Sequence, residues 1–161
     1  MVRVPNRAVG SRRAKSKRTG ANGSRQPCYD ARVTIATVSK SFKFQASHQL
    51  LHHDGPCRHL HGHSYEVEVF AEGAVNNTPG QTKEGMVVDY GHISEVWKRT
   101  LFPRLDHRHL NSSVEAELKG PTTAENLAEW ILSVMRHYIP EVNQVTVHET
   151  DSSSATVYAT Y

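Results

Sequence analysis

Cysteine is scarce in this 161-residue chain: there are two, Cys28 and Cys57, and their separation does not read as a disulfide framework. That excludes the disulfide-stapled secreted scaffolds and fits a reducing, cytoplasmic setting. Long apolar runs are missing as well. Nothing approaches the roughly 18 consecutive apolar residues of a membrane span, and no apolar core follows the N-terminal charges as it would in a secretory signal. Acids are nearly absent from residues 1–32, where nine Lys/Arg face Asp30 alone. The remainder holds ten bases against fifteen acids, so the basic character belongs to the tail and not to the body.

That tail is rich in Arg, Lys, Ser, Gly and Asn and has no apolar periodicity, so residues 1–32 are expected to be disordered. Clustered Lys/Arg also admits a nucleic-acid contact, and an Arg-rich, acid-poor segment admits an organelle transit peptide. Residues 33–161 are enough for one domain with an ordinary core.

Within the domain, Val33 to Phe44 carries β-branched and aromatic residues in rough alternation and predicts a strand. In "SYEVEVFAEG", Tyr65, Val67, Val69 and Ala71 alternate with acids, predicting a half-buried strand antiparallel to the first. "GMVVDYG" predicts a short third strand. A helix is expected near His92 to Phe102, ended by Pro103. A second is expected to open at a capping box formed by Thr122 and Glu125 and to close before Pro140. "QVTVHET" and "ATVYATY" read as a closing strand pair. The pattern implies an α+β domain, two helices on one face of a mainly antiparallel sheet. Its open edges invite pairing with further copies.

The stretch "CRHLHGHSYEVEVF" holds the most chemistry. His61 and His63 flank a turn glycine at the start of a strand, where positions i and i+2 project to one side. His48 is the best third ligand because it closes the strand whose partner begins at His61, although His52, His53 and His59 lie equally near in sequence. Three neutral imidazoles would leave an open position, as in catalytic zinc sites; copper, iron or nickel would accept the same donors. Cys57 is either a fourth, closing ligand or a free thiol activated by a neighbouring cation. In "LDHRHLN", Asp106 stands beside His107 and can support it in acid/base work, or the two can satisfy helix-end backbone groups. His109 reads as a surface residue. Glu149 falls on the strand face of Val145 and Val147, where an unpaired carboxylate is costly; it either binds a cationic or amidine-like edge or forms a salt bridge.

Five ordered motifs, "FKFQASHQLLHHDGPCRHLHGHSYEVEV", "GMVVDYGHI", "LDHRHLN", "PTTAENLAEWI" and "VHETDSSSATVY", resemble the 6-pyruvoyl-tetrahydropterin synthase family over about residues 38 to 158. The spacing C-x-x-x-H-G-H resembles its bacterial branch, the 6-carboxy-tetrahydropterin synthases. The resemblance implies the tunnelling fold (T-fold), in which sheets pair into a barrel, commonly a hexamer of two trimers with sites at subunit interfaces. It implies Zn2+ on His48, His61 and His63, Cys57 as catalytic thiolate, Asp106 and His107 as an acid/base pair, and Glu149 with a threonine, Thr122 or Thr123 with Thr123 preferred, as the residues that hold the pterin. The implied reaction converts 7,8-dihydroneopterin triphosphate to 6-carboxy-tetrahydropterin, acetaldehyde and triphosphate in queuosine and 7-deazapurine biosynthesis. The alternative within the family is 6-pyruvoyl-tetrahydropterin synthesis. Outside it stand a non-enzymatic zinc- or RNA-binding protein and a zinc hydrolase, the latter lacking any HExxH-type element.

Overall fold

The structure, a computed structural model, describes residues 33–160. The basic tail with Cys28 lies outside the described residues. Strand β1 (Ile35–His48) pairs along its whole length with β2 (His61–Ala74), from Ile35 opposite Ala74 to His48 opposite His61. Helices α1 (Tyr90–Thr100) and α2 (Phe102–Leu105) follow, then a two-residue strand β3 (Arg108–His109) and a single turn, α3 (Leu110–Ser113). The long helix α4 (Ala124–Tyr138) leads to β4 (Val142–Thr150) and β5 (Ser153–Tyr158). The sheet order is β3-β1-β2-β4-β5.

Alternation builds the core from one face of this sheet. Phe44 and Ala46 on β1, Tyr65, Val67, Val69 and Ala71 on β2, and Val145 and Val147 on β4 are buried against Ile93, Val96 and Trp97 of α1 and Leu127, Ile131 and Met135 of α4. Flat stacks of Phe42 on Trp97 (4.4 Å between centroids) and Phe44 on Tyr65 (4.8 Å) tie β1 to its neighbours. The other face carries polar pairs such as Lys43–Glu66 and Ser39–Glu68. No helix among the described residues is long and apolar enough to cross a membrane.

Several expectations need correction. "GMVVDYG" is not a strand: of its apolar residues only Val88 is buried, and the chain runs through turns until Asp89 caps α1 by accepting from the Gly91 N–H. The missing strand is replaced by β3, which pairs in parallel with Ala46 and Ser47, so the sheet is mixed. β1 runs past Phe44 to His48. Pro103 does not merely end the first helix, because it sits in the first turn of α2, where a missing N–H costs nothing. The cap of α4 is Thr123, accepting from the Asn126 N–H, and not Thr122.

Gly62 is no turn residue; it lies inside β2 opposite Ser47. A Cβ there would come within 3.0 Å of the Ala46 carbonyl oxygen, and backbone cannot step aside cheaply. Gly62→Ala is therefore expected to destabilise the domain by about 1–3 kcal/mol. Because it splays the strand ends bearing His48, His61 and His63, it should also weaken metal binding. Thermal melting with and without zinc measures both.

Candidate metal and pterin site

The β1–β2 register delivers three imidazoles to one place. His48 and His61 are paired at the end of the ladder, and His63 follows on the same face of β2, two pairs further in, opposite Ala46. One nitrogen from each ring lies within 4.8 Å of the other two. Ring centroids are 4.5 Å apart for His48 and His61, 4.9 Å for His61 and His63, and 5.2 Å for His48 and His63.

For His48 and His61, hydrogen bonds fix which nitrogen the ring turns inward. His48 Nδ1 donates to the Thr122 carbonyl oxygen at 2.8 Å, and His61 Nδ1 donates to the His59 carbonyl oxygen at 2.8 Å. A ring that donates through Nδ1 presents Nε2 as a lone pair. The Nε2 atoms of His48, His61 and His63 are all buried without a hydrogen-bond partner among the described residues. Three orphaned, convergent acceptors are unfavourable by themselves and are what a cation with nitrogen ligands requires. Burial holds the pKa of His48 below its ordinary value, opposed by the bond to Thr122 and reinforced by His61, His63 and His109. Burial and then His61 lower that of His63 in the same way. Both shifts favour the neutral, ligating form. The cluster does not include Cys57, nor His52, His53 or His59, all three exposed.

Cys57 is half-buried in the single 3-10 turn Pro56–Arg58, and its carbonyl oxygen accepts from the Leu50 N–H at 2.9 Å, which closes the loop back onto the end of β1. Glu149 approaches the cluster from β4, with Oε1 4.0 Å from His48 Nε2. It sits at a bulge, between His148 opposite Ser154 and Thr150 opposite Ser153, and bulges re-aim side chains. Burial, then Glu125, raises the Glu149 pKa, while His61 opposes the shift. Thr123, half-buried at the start of α4, follows Thr122, whose side chain is fully buried against His48.

Asp106 and His107 hold a different position, on the edge of β1. Asp106 Oδ1 accepts from the Gln45 N–H at 3.0 Å, and the His107 N–H donates to the Gln45 carbonyl oxygen at 2.6 Å. His107 adopts a φ of 54°, a left-handed conformation uncommon outside glycine. Its imidazole is 79% exposed, with Nε2 3.7 Å from Asp106 Oδ2, too far for a hydrogen bond. His107 lines an open cavity of about 440 Å³ with Gln45, Ser47, His63, Ser64 and Arg108. His109, read as surface, is half-buried and lies 3.3 Å through Nδ1 from Ser47 Oγ.

One group escaped the reading of the sequence. Tyr65 counted only as core, yet its buried hydroxyl has no partner among the described residues, and its ring lies 5.4 Å from His63. Burial and the charge of Glu149 keep it protonated. Only the position of Tyr65 two residues beyond His63 on the same strand face could have signalled its place at the site.

The description "6-pyruvoyl tetrahydropterin synthase" matches residues 37–160. A Synechocystis sp. protein named 6-carboxy-5,6,7,8-tetrahydropterin synthase is 36% identical over 123 residues, 76% of this chain and 92% of the relative. A Drosophila melanogaster protein named 6-pyruvoyl tetrahydrobiopterin synthase is 31% identical, over 72% of this chain and 75% of its own. The solved structure of Caenorhabditis elegans 6-pyruvoyl tetrahydropterin synthase superposes with a TM-score of 0.68 at 26% identity, covering 80% of this chain and 99% of that one. The α+β architecture described above is thus the T-fold of these proteins, and the chain belongs to the 6-pyruvoyl tetrahydropterin synthase family.

Proposed function

We propose that the protein is a zinc-dependent 6-carboxy-5,6,7,8-tetrahydropterin synthase, a lyase acting on 7,8-dihydroneopterin triphosphate in the cytoplasmic synthesis of queuosine and related deazapurines. The observation that carries the chemistry is the set of three inward, partnerless Nε2 atoms on His48, His61 and His63. The branch rests on the spacing of Cys57 to His61 and on the Synechocystis relative.

Held by these three nitrogens, zinc would supply a Lewis acid to the side-chain hydroxyls of the substrate and keep a coordination position open for them. Glu149 accepts from the 2-amino and N3 edge of the pterin, and the Thr123 hydroxyl adds a contact to the ring. Two N–H donors from a ligand offset the cost of a half-buried carboxylate, which the protein alone leaves 4.0 Å from His48. The Cys57 thiolate moves a proton at the substrate side chain, and His107, beside Asp106, moves a second as the intermediate rearranges. Triphosphate leaves, one water adds to the side chain to supply the second carboxylate oxygen, and a retro-aldol-like cleavage releases acetaldehyde.

The His107 imidazole is exposed beside a half-buried Asp106 on the edge of β1, a placement that suits a site completed between subunits. β1 is covered by β3 at two residues only, and β5 is an edge strand. Such edges supply the pairing surfaces of the expected hexamer.

Glu149→Gln keeps the shape but loses the charge-assisted bonds. It is expected to raise KM about 10- to 100-fold, the equivalent of one or two hydrogen bonds to a charged group, with a smaller change in kcat. Steady-state kinetics across pterin concentration decides this. Release of triphosphate from 7,8-dihydroneopterin triphosphate tests the reading as a whole: the zinc-loaded protein should release one equivalent per turnover. Intact substrate in the presence of bound zinc would contradict it and leave a metal-binding protein.

A further inference from the structure

We infer that Asn111 is a positioning residue: its side-chain amide holds the backbone of Gln49 at the point where the chain leaves His48 and enters the loop that carries Cys57. The inference rests on the reading of Cys57 and the three histidines given above, and it assigns a task to a residue of "LDHRHLN" that this chemistry leaves without one.

Gln49 is the first residue beyond both ladders. Pairing with β2 stops at His48 opposite His61, and pairing with β3 stops at Ser47 opposite His109. Its N–H and carbonyl would be left without partners at the edge of a half-buried site. Asn111 satisfies both, since Oδ1 accepts from the Gln49 N–H at 2.9 Å and Nδ2 donates to the Gln49 carbonyl oxygen at 3.0 Å. A single amide thus mimics one more residue of a neighbouring strand across 62 positions of sequence.

The orientation of that amide is determined. The second N–H of Nδ2 donates to Glu115 Oε1 at 3.0 Å, and a carboxylate can only accept, so nitrogen and oxygen cannot be exchanged. No carboxylate, hydroxyl or aliphatic side chain of similar size offers one acceptor and two donors in a plane. From Gln49 the restraint passes on directly. Leu50 donates to the Cys57 carbonyl oxygen at 2.9 Å, and His53 donates to that of Leu50 at 2.9 Å. Asn111 therefore anchors one end of the Cys57 loop to α3, while His48 is anchored to the start of α4 through Thr122. The separation of thiol and metal ligands depends on both anchors, and misplacing a reacting group by about 1 Å costs on the order of 100-fold in rate.

The test compares zinc-loaded wild type with Asn111→Ala and Asn111→Asp. Asn111→Asp keeps the volume and the acceptor for Gln49 and serves if the alanine variant does not fold. Asn76→Ala, at an asparagine that braces the separate turn around Thr78 and Thr82, is the control. Two readouts are taken: kcat and KM for triphosphate release, and the rate of iodoacetamide alkylation measured on the peptide that contains Cys57, so that Cys28 does not contribute. Both Asn111 variants should keep one zinc per chain, lose about 10- to 100-fold in kcat with KM within about twofold, and change Cys57 alkylation about tenfold. Asn76→Ala should match wild type in both. Wild-type kcat and alkylation in a folded Asn111 variant, with only a lower melting point, would overturn the inference, as would altered alkylation with wild-type kcat. If wild type releases no triphosphate, the pterin reading fails by itself, and alkylation alone then decides whether Asn111 positions Cys57.

Discussion

Cys57→Ala is expected to lose about 10³-fold in kcat, the range typical of removing a positioned proton-transfer group, while still binding one zinc per chain. The geometry separates these two outcomes. Cys57 is half-buried on the 3-10 turn Pro56–Arg58, and the ligand cluster is formed by His48, His61 and His63 without it. The part of Cys57 that the loop uses is its carbonyl oxygen, which alanine retains, so the Leu50 N–H keeps its partner. Truncating a half-buried thiol in a turn also leaves little cavity, so stability should change by less than about 1 kcal/mol. Zinc content by atomic absorption and kcat on the same preparation check this. Loss of zinc together with activity would make Cys57 a fourth ligand and the site a closed, structural one.

Removing the metal should have an effect of similar size on activity and a large one on stability. Three buried Nε2 atoms without partners are a standing cost in the metal-free protein. Zinc at 100 times its dissociation constant stabilises the folded state by about 2.7 kcal/mol, which for a domain of this size raises the melting midpoint on the order of 10 °C. Chelation should reverse that shift and abolish turnover, and zinc should restore both. His63→Ala should melt at one temperature whether zinc is present or not, since two imidazoles do not make a stable site. A zinc-dependent shift of wild-type size in that variant would remove His63 from the ligand set.

The metal cluster was legible in the sequence because it follows from one antiparallel pair. Once a strand ends at His48 and its partner begins at His61, the register and the two-residue period place three imidazoles together. The hydrophobic face was legible for the same reason, from Tyr65 to Ala71 and from Leu127 to Met135. What was not legible depends on contacts with no local pattern. β3 consists of two residues that hold to β1 through parallel bonds, and no periodicity of that length exists to be read. The cap of α4 moved by one position because Pro121 and two successive threonines offer equivalent local chemistry. Burial against His48 decides that Thr122 goes inward and Thr123 caps. At Glu149, alternation gave the face but not the bulge that aims the carboxylate. His107 looked like the neighbour of a carboxylate that orients it, whereas Asp106 spends one oxygen on the Gln45 backbone and the imidazole points to solvent. The bond from Asn111 to Gln49 spans 62 residues and has no signature short of the folded chain.

The most direct measurement is the identity of the products when the zinc-loaded protein turns over 7,8-dihydroneopterin triphosphate, by mass spectrometry of the pterin with acetaldehyde assayed in parallel. The account predicts 6-carboxy-tetrahydropterin with one equivalent of acetaldehyde. A pyruvoyl pterin formed without acetaldehyde would contradict it and place the chain with the biopterin-forming members of its family.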